Sequence, residues 1–327
     1  MCLKRVDLDD QRAPHDVARE ARMLSRLHHR GIVPMLASFI EGPDDFTEVH
    51  WLVMPLYYAH LGELVDNVDW RVDGSLPIMA TGGHGLAVLV RRIFHQLANA
   101  VAYLHANGIA HRDIKPENVL IDAGHVSLCD LGVSWASDTP ERASFDDGPP
   151  RIGARIHEVG SGAYRAPELL FAPLDGYDAY KVDIWALAAT VATMFMDLHC
   201  EEQAAETCDW EDELWPREQE YVYRRRTLFN TEHGDIGLAA DIFSVLGLPS
   251  SASEWPEAAQ FQPPLAQLPF ARTEPHGCVC DRLVLLPTFS EEDISLVALV
   301  MELLPRMLVL SAAARPDAMS IASAFES

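Results

Sequence analysis

The most constraining part of the sequence is the run at residues 111–120, which reads H-R-D-I-K-P-E-N-V-L. It places a carboxylate at Asp113, an ammonium at Lys115 and a carboxamide at Asn118 within ten residues. Pro116 excludes a regular helix here, because proline has no N–H to donate and its ring clashes with the preceding turn. The sequence therefore predicts a rigid, irregular loop that directs three polar side chains into one space.

A β-hairpin is predicted directly after this loop. The apolar runs at 119–121 and 126–129 flank D-A-G-H, a sequence typical of a turn between two strands. Asp130 follows at once, with Leu131 and Gly132 behind it. The hairpin therefore ends in a second carboxylate beside a flexible glycine.

These residues supply what phosphoryl transfer requires. One carboxylate accepts the proton of a hydroxyl, a second carboxylate and an amide oxygen hold Mg²⁺, and a lysine neutralises charge on the phosphate. The run resembles the H-R-D-x-x-x-x-N loop of eukaryotic protein kinases, and D-L-G resembles their D-F-G, with Leu131 in place of phenylalanine. The alternative is a buried loop whose polar residues only satisfy one another.

Composition excludes several other classes. The 327 residues are 49% hydrophobic and 23% charged, which is a globular composition. The net charge of −24 argues against nucleic acid or an anionic membrane as a partner, because both require basic patches. The six cysteines form no C-x-x-C pair, which disfavours a zinc module. Without a signal peptide or transmembrane pattern, a cytoplasmic or nuclear protein is expected.

A lysine and a glutamate near the start are the next candidates. Residues 1–6 are predicted to form a strand end, and an amphipathic helix is predicted over about residues 14–28. This helix resembles the P-S-T-A-I-R-E helix of cyclin-dependent kinases, with matches that include Arg19 and Glu20. The resemblance implies that Lys4 holds the α- and β-phosphates of ATP and that Glu20 fixes the position of the Lys4 ammonium. Taken alone, both residues are ordinary surface charges.

The adenine site is expected where the second of two predicted strands ends. These strands cover residues 32–40 and 49–54, and the sequence that follows resembles the kinase hinge. The resemblance implies that Met54 lines the back of the pocket and that Pro55 and Tyr57 bind adenine through backbone groups. Pro55 has no N–H, but its position needs only a carbonyl. An ordinary strand that runs into a loop is the alternative.

One part of the kinase pattern is missing. Kinases place two strands and a glycine-rich loop before this lysine, whereas three residues precede Lys4. The G-G-H-G run at 82–85 follows the lysine and is interpreted as a connection. Two explanations remain open: the true start of the protein lies upstream, or the nucleotide site lacks this part. The predicted fold class is α+β: a bilobal kinase fold with a truncated N-terminal β lobe and hinge at 1–57 and a mainly helical C-terminal lobe at 58–327.

Motifs of the C-terminal lobe carry structural expectations. A long helix is predicted over residues 86–106. The resemblance pairs Glu168, the last residue of A-P-E, with Arg315, and it assigns Asp183 to the support of the catalytic loop. The acidic segment at about 200–225 is interpreted as an inserted surface loop, with a partner-binding role as the alternative.

The activation segment departs from that of cyclin-dependent kinases. Ile156 stands where they carry a phosphorylated threonine. Arg19 and Arg112 match two of the three arginines that bind that phosphate, but Trp135 occupies the third position. An added phosphate needs such a cluster, so we expect activity without phosphorylation at this site.

The predicted function is a protein serine/threonine kinase that uses ATP and Mg²⁺. The resemblance gives the roles of Asp113 as base, Lys115 at the γ-phosphate, and Asn118 with Asp130 on Mg²⁺. Ser161 is expected to contact Asp113, and the run at 161–171 resembles fungal single-polypeptide kinases that phosphorylate the activation loop of cyclin-dependent kinases. A cyclin partner is left open. The alternative is a pseudokinase or scaffold, while the A-P-E motif disfavours a small-molecule kinase.

Overall fold

The structure is a computed structural model of the chain. It describes residues 1–44, 47–67, 86–138, 157–171, 176–203, 220–249, 253–261, 278–284 and 291–326, with the single positions 173, 251, 263, 264, 267 and 270. The G-G-H-G run at 82–85, Ile156 and the middle of the acidic segment lie outside the described residues.

Three antiparallel strands form the N-terminal sheet in the order β1–β3–β2. They are β1 (Cys2–Asp7), β2 (Ala37–Asp44) and β3 (Thr47–Met54). Lys4 pairs with Leu52 across β1 and β3, so the two side chains share one face of the sheet. Leu52 is fully buried against Val17 and Ala21 of helix α1 (Val17–Leu24). The sheet therefore presents Lys4 on the side that faces α1.

Helix α1 is shorter than the predicted 14–28. The side chain of Asp16 accepts a hydrogen bond from the Arg19 N–H at 2.8 Å, which caps the helix, and Ser25 closes the other end. The predicted strand at 32–40 is also too long, since β2 begins at Ala37. Residues 32–33 instead lie against the strand that ends at Leu128, where the Val33 N–H donates to the Leu128 carbonyl at 2.9 Å.

The helical part is built around α4 (Ala179–Thr193), in which all but two residues are buried. A helix that is apolar on all sides belongs in the middle of a core. The other α-helices described are α2 (Leu61–Asp66), α3 (Leu86–Ala106), α5 (Gly234–Leu246), α6 (Glu291–Met307) and α7 (Ala318–Ser323). Helices α3 and α6 pack against α4. Helix α3 has the predicted bounds and is followed by Gly108 at a φ of 73°, a left-handed conformation that ends the helix.

Short strands connect the helices near the catalytic loop. The hairpin is β6 (Val119–Asp122) with β7 (His125–Leu128), and β4 (Ala59–His60) pairs with β6. Strand β5 (Ile109–Ala110) pairs with β8 (Trp135–Ala136). These pairings hold the loop at 111–118 between two strand pairs.

The acidic segment at about 200–225, interpreted from the sequence as an inserted surface loop, has a strand at each end. Strand β9 (Leu198–Gln203) pairs antiparallel with β10 (Glu220–Arg225), so the segment leaves the helical part as a two-stranded ribbon. Arg225 anchors this ribbon because its guanidinium donates to the carbonyls of Val65 and Met196 at 2.8 and 2.5 Å. Among the helices in the described residues, none combines the length and hydrophobicity needed to cross a membrane.

Candidate active site

The loop at 111–118 is held by a buried carboxylate. Asp183 on α4 is fully buried, and its two oxygens accept hydrogen bonds from the backbone N–H groups of His111 and Arg112 at 2.8 and 2.7 Å. Arg112 has a φ of 66°, a left-handed conformation that costs a residue with a side chain about 1–3 kcal/mol. The two bonds to Asp183 hold this conformation, which is the support that the sequence predicted.

Asp113 is the centre of the loop. Its Oδ1 accepts a hydrogen bond from Ser161 Oγ at 2.7 Å, and its Oδ2 accepts one from Asn118 Nδ2 at 3.1 Å. The Lys115 ammonium lies 2.9 Å from the same Oδ2 and donates to Ser161 Oγ at 2.6 Å. The structure therefore brings Asp113, Lys115 and Asn118 together, and it places Ser161 beside them as expected.

A second charged group joins the N-terminal sheet to the D-L-G turn. The Lys4 ammonium lies 2.8 Å from a carboxylate oxygen of Glu20 and 2.8 Å from Asp130 Oδ1. The sequence predicted the pair with Glu20 but not the direct contact with Asp130. Asp130 has a φ of 64°, so this carboxylate is also carried by a strained backbone.

The pKa values in this group follow from burial and mutual attraction. Burial disfavours the Lys4 ammonium, but the carboxylates of Glu20 and Asp130 outweigh it and raise the pKa of Lys4. Burial also works against the Asp130 carboxylate, but Lys4 outweighs it and lowers the pKa of Asp130. The pKa of Glu20 is raised, because burial exceeds the effect of Lys4. Lys4 is thus a cation and Asp130 an anion at neutral pH.

The donor set fits Mg²⁺. The Cys129 N–H donates to the Asn118 carbonyl at 3.0 Å, which brings the next residue, Asp130, beside Asn118. Within the described part of the chain, Asn118 Oδ1 and Asp130 Oδ2 take part in no hydrogen bond. Carboxylate and carbonyl oxygens are the ligands that Mg²⁺ prefers, so two suitable atoms remain for it.

The hinge residues lie where the sequence placed them, directly after β3. Met54 ends that strand and is half-buried, and Tyr57 Oη donates to Ser127 Oγ at 3.2 Å. In the described residues, neither the Pro55 carbonyl nor the backbone N–H and C=O of Tyr57 has a hydrogen-bond partner. These backbone groups are therefore free to bind a flat heterocycle.

Two histidines in the supporting network were missed. His111 Nε2 lies 2.9 Å from the carbonyl of Cys129, which ties the catalytic loop to the D-L-G turn. His105 Nε2 lies 2.9 Å from Asp183 Oδ2, beside the backbone groups that Asp183 binds. The sequence signal that could have identified His111 was its place at the start of H-R-D. His105 has no comparable signal, because a basic residue in the last turn of a helix is common.

Two further expectations concern arginines: the pair of Arg315 with Glu168, and the arginines matched to a phosphate site. Arg315 donates to both carboxylate oxygens of Glu168 at 2.7 Å, and both side chains are buried, as predicted. The two arginines matched to a phosphate site contact backbone carbonyls: Arg112 that of Val133, and Arg19 those of Pro14 and Gly132. Independence from phosphorylation at residue 156 remains a prediction.

Comparison with known proteins identifies several relatives. CBL-interacting protein kinase 22 of Oryza sativa subsp. japonica is 45% identical over 173 residues, which cover 52% of this chain and 33% of the relative. Serine/threonine-protein kinase csk1 of Schizosaccharomyces pombe is 27% identical over 255 residues, which cover 77% of this chain and 65% of the relative. The match thus spans less than two thirds of each relative's length. Both are named as protein kinases, which gives the scaffold alternative no support.

Comparison with solved structures also identifies a kinase. The crystal structure of the yeast RNA Pol II CTD kinase CTDK-1 complex contains a chain that is similar over 98% of this chain and 83% of its own length, with a TM-score of 0.66 and 18% identity. The predicted kinase fold is therefore confirmed. The protein kinase domain model matches residues 1–227, more than half of the sequence, and the chain belongs to the protein kinase family.

Proposed function

We propose that this chain is a protein serine/threonine kinase that transfers the γ-phosphate of ATP to a hydroxyl of a protein. The observation that carries the proposal is that two charged groups are linked through Asn118, whose side chain contacts Asp113 and whose carbonyl accepts a hydrogen bond from Cys129, the residue before Asp130. The Asp113 carboxylate lies 2.7 Å from Ser161 Oγ and 2.9 Å from the Lys115 ammonium, while the Lys4 ammonium lies 2.8 Å from both Glu20 and Asp130.

The residues around Asp113 suit proton transfer from a hydroxyl. Ser161 Oγ donates to Asp113 Oδ1 at 2.7 Å, so a substrate hydroxyl that takes this position would donate to the same oxygen. Lys115, at 2.9 Å from the other oxygen, would neutralise charge that develops on the transferred phosphate. Transfer would be direct and in line, because positioning and electrostatics are the main requirements.

The nucleotide would lie between the two groups. Lys4 would bind the α- and β-phosphates, while Glu20 holds the ammonium in place. Mg²⁺ would be held by Asn118 and Asp130 and would supply charge neutralisation at the phosphates. Met54 would line the back of the adenine pocket, where Pro55 and Tyr57 offer the backbone groups described above. We also propose that residues 1–57 form the N-terminal lobe with the hinge and that residues 58–327 form the C-terminal lobe.

The substrate proposal is narrower. The run at 161–171 resembles that of the fungal single-polypeptide kinases that activate cyclin-dependent kinases. The activation loop of another kinase is therefore the protein substrate that we propose, and a cyclin is a candidate partner. An incubation of the chain with an inactive cyclin-dependent kinase would test this, and the absence of label on its activation-loop threonine would refute it.

The general activity has a direct test. The purified chain is incubated with Mg²⁺ and radiolabelled ATP in the presence of a general protein substrate, beside an Asp113→Asn variant. We expect phosphoserine or phosphothreonine from the wild type and a loss of about 10²–10⁴ in turnover for the variant, since its amide is a poor base. Thermal shift with Mg-ATP should be similar for both. Stabilisation by Mg-ATP without any transfer from the wild type would refute the proposal and favour a scaffold.

A further inference from the structure

Two of the six cysteines lie two residues apart at the start of a short 3₁₀ helix in the helical part. The helix is Val279–Arg282; Cys278 is the residue before it and Cys280 is its second residue. We call residues 278–280 the C-V-C turn. Just after the helix, the Val284 N–H donates to the Phe195 carbonyl at 2.7 Å. The turn is therefore tied to the chain that leaves helix α4.

Two hydrogen bonds fix Cys278 relative to this short helix. The Cys278 N–H donates to Asp281 Oδ2 at 2.6 Å. In return, the Cys278 sulfur accepts a hydrogen bond from the Asp281 N–H, so the two residues form a capping box with a thiol in the place of a hydroxyl. The sulfur is thereby held over the first turn, to which Cys280 belongs.

The spacing of the two cysteines suits a disulfide bond. Successive Cα atoms lie about 3.8 Å apart, and the helical conformation of Val279 brings the Cα atoms on either side of it to about 5.5 Å from each other, within the range that disulfides span. The side chains also interact, since burial and then a hydrogen bond with the Cys278 thiol raise the pKa of the Cys280 thiol to about 11. The two sulfur atoms therefore lie on the same side of the turn.

The two thiols differ in exposure. Cys278 is exposed, whereas Cys280 is only 6% exposed. An oxidant in solution therefore reaches Cys278 first. Because of its raised pKa, Cys280 stays a thiol at neutral pH, and a thiol is a poor nucleophile for a peroxide. An accessible cysteine beside a second, protected one is the arrangement in which the second resolves the oxidised form of the first.

We propose that the C-V-C turn is a redox modification site at which a peroxide converts Cys278 and Cys280 into a disulfide. In the first step the Cys278 sulfur attacks one oxygen of hydrogen peroxide, the O–O bond breaks, and a sulfenic acid and one water form. In the second step the Cys280 sulfur attacks the Cys278 sulfur, the S–O bond breaks, and the oxygen leaves as water with the thiol proton. In total, the two thiols lose two electrons and two protons, and one peroxide becomes two waters. The site does not depend on the proposed kinase activity.

The test uses the full chain, because one tryptic peptide carries both cysteines. Trypsin cleaves after Arg272 and Arg282, and the peptide between these positions, residues 273–282, contains Cys278 and Cys280 and no other cysteine. The reduced, folded chain is treated with hydrogen peroxide. The remaining thiols are then blocked with N-ethylmaleimide, and the chain is digested without reductant for mass spectrometry.

Two variants accompany the wild type. Cys278→Ser removes the thiol that the peroxide reaches, and the matched control Cys200→Ser removes another exposed cysteine, on β9. Both substitutions are on exposed side chains and should leave the fold intact.

We expect the wild type and Cys200→Ser to give peptide 273–282 without maleimide and two hydrogen atoms lighter, and dithiothreitol added before the blocking step should restore both labels. Cys278→Ser should give the same peptide with one maleimide on Cys280. Two maleimide labels on the peroxide-treated wild type would overturn the proposal, as would oxygen atoms added to the peptide or a disulfide to a different peptide.

The same treatment in urea measures what the fold contributes. We expect ring formation to be at least about tenfold slower there, since the capping box no longer holds the two sulfur atoms together. Equal rates in urea and in buffer would show that the geometry of the turn plays no part, and the proposal would be wrong.

Discussion

The buried pair of Glu168 and Arg315 allows the sharpest stability prediction. Both side chains are at most 1% exposed, and each carboxylate oxygen accepts a hydrogen bond at 2.7 Å. The guanidinium also donates to the carbonyls of Val309, Lys181 and Leu310 at 2.9–3.0 Å. Those three bonds hold Arg315 in place, so it cannot move to water if Glu168 loses its charge.

Glu168→Gln should therefore leave a buried cation without a counter-ion. Breaking such a pair costs about 3–5 kcal/mol, and for a chain of this size about 2 °C of melting temperature accompanies each kcal/mol. We expect a decrease of about 6–10 °C in calorimetry and a corresponding decrease in the urea midpoint. The fold around residues 167–171 should be the first part to lose protection from hydrogen exchange.

A matched control exists on the surface. Glu302 lies 2.9 Å from Arg306 one turn along α6, with side chains that are 64% and 59% exposed. Glu302→Gln removes the same charge from the same type of pair but should cost about 0.5 kcal/mol or less, because solvent screens it. If Glu168→Gln and Glu302→Gln destabilised the protein equally, the reasoning from burial would be refuted.

Three further predictions concern separate sites. Lys4→Met should reduce phosphate transfer by about 10² or more with an unchanged circular dichroism spectrum, since the ammonium that contacts the D-L-G carboxylate is lost; unchanged turnover would exclude this role. Gly108→Ala should lower the free energy of unfolding in urea by about 1–2 kcal/mol, because alanine is strained at a φ of 73°. Adding Ser137→Ala removes the side chain that the new methyl group would meet, so it should restore only the part of the loss that comes from this contact. Burial disfavours the Asp241 carboxylate, but two hydrogen bonds from Arg282 outweigh it and lower the pKa below its ordinary 3.8. Its stabilisation is present above that value and is lost as pH falls through the lower folded pKa, so the excess stability of the wild type over Asp241→Asn should be constant near neutral pH and shrink below about pH 4; a difference that persists in acid would contradict this sign.

Elements with strong local signals were predicted well. Helix α3 and the hairpin of β6 and β7 follow from apolar periodicity and from turn residues that act over a few positions. The ends of α1 and β2 were misplaced, because a cap at Asp16 and a backbone bond from Val33 to Leu128 decide them. Several polar residues near Asp16 could have capped the helix, so the sequence does not single out this one. The bond from Val33 to Leu128 joins positions that are far apart in the chain.

The sequence alone determined the chemistry of the site and its family, since H-R-D-I-K-P-E-N and D-L-G carry the reactive groups at fixed spacing within short loops. Only the tertiary structure decided that Lys4 contacts Asp130, 126 residues away, at the same time as Glu20. It also decided that Cys278 is exposed while Cys280, two residues away, is buried. Local spacing fixes which groups a loop can offer, whereas contacts between distant segments depend on how sheet and helices pack, and no short-range pattern encodes that packing.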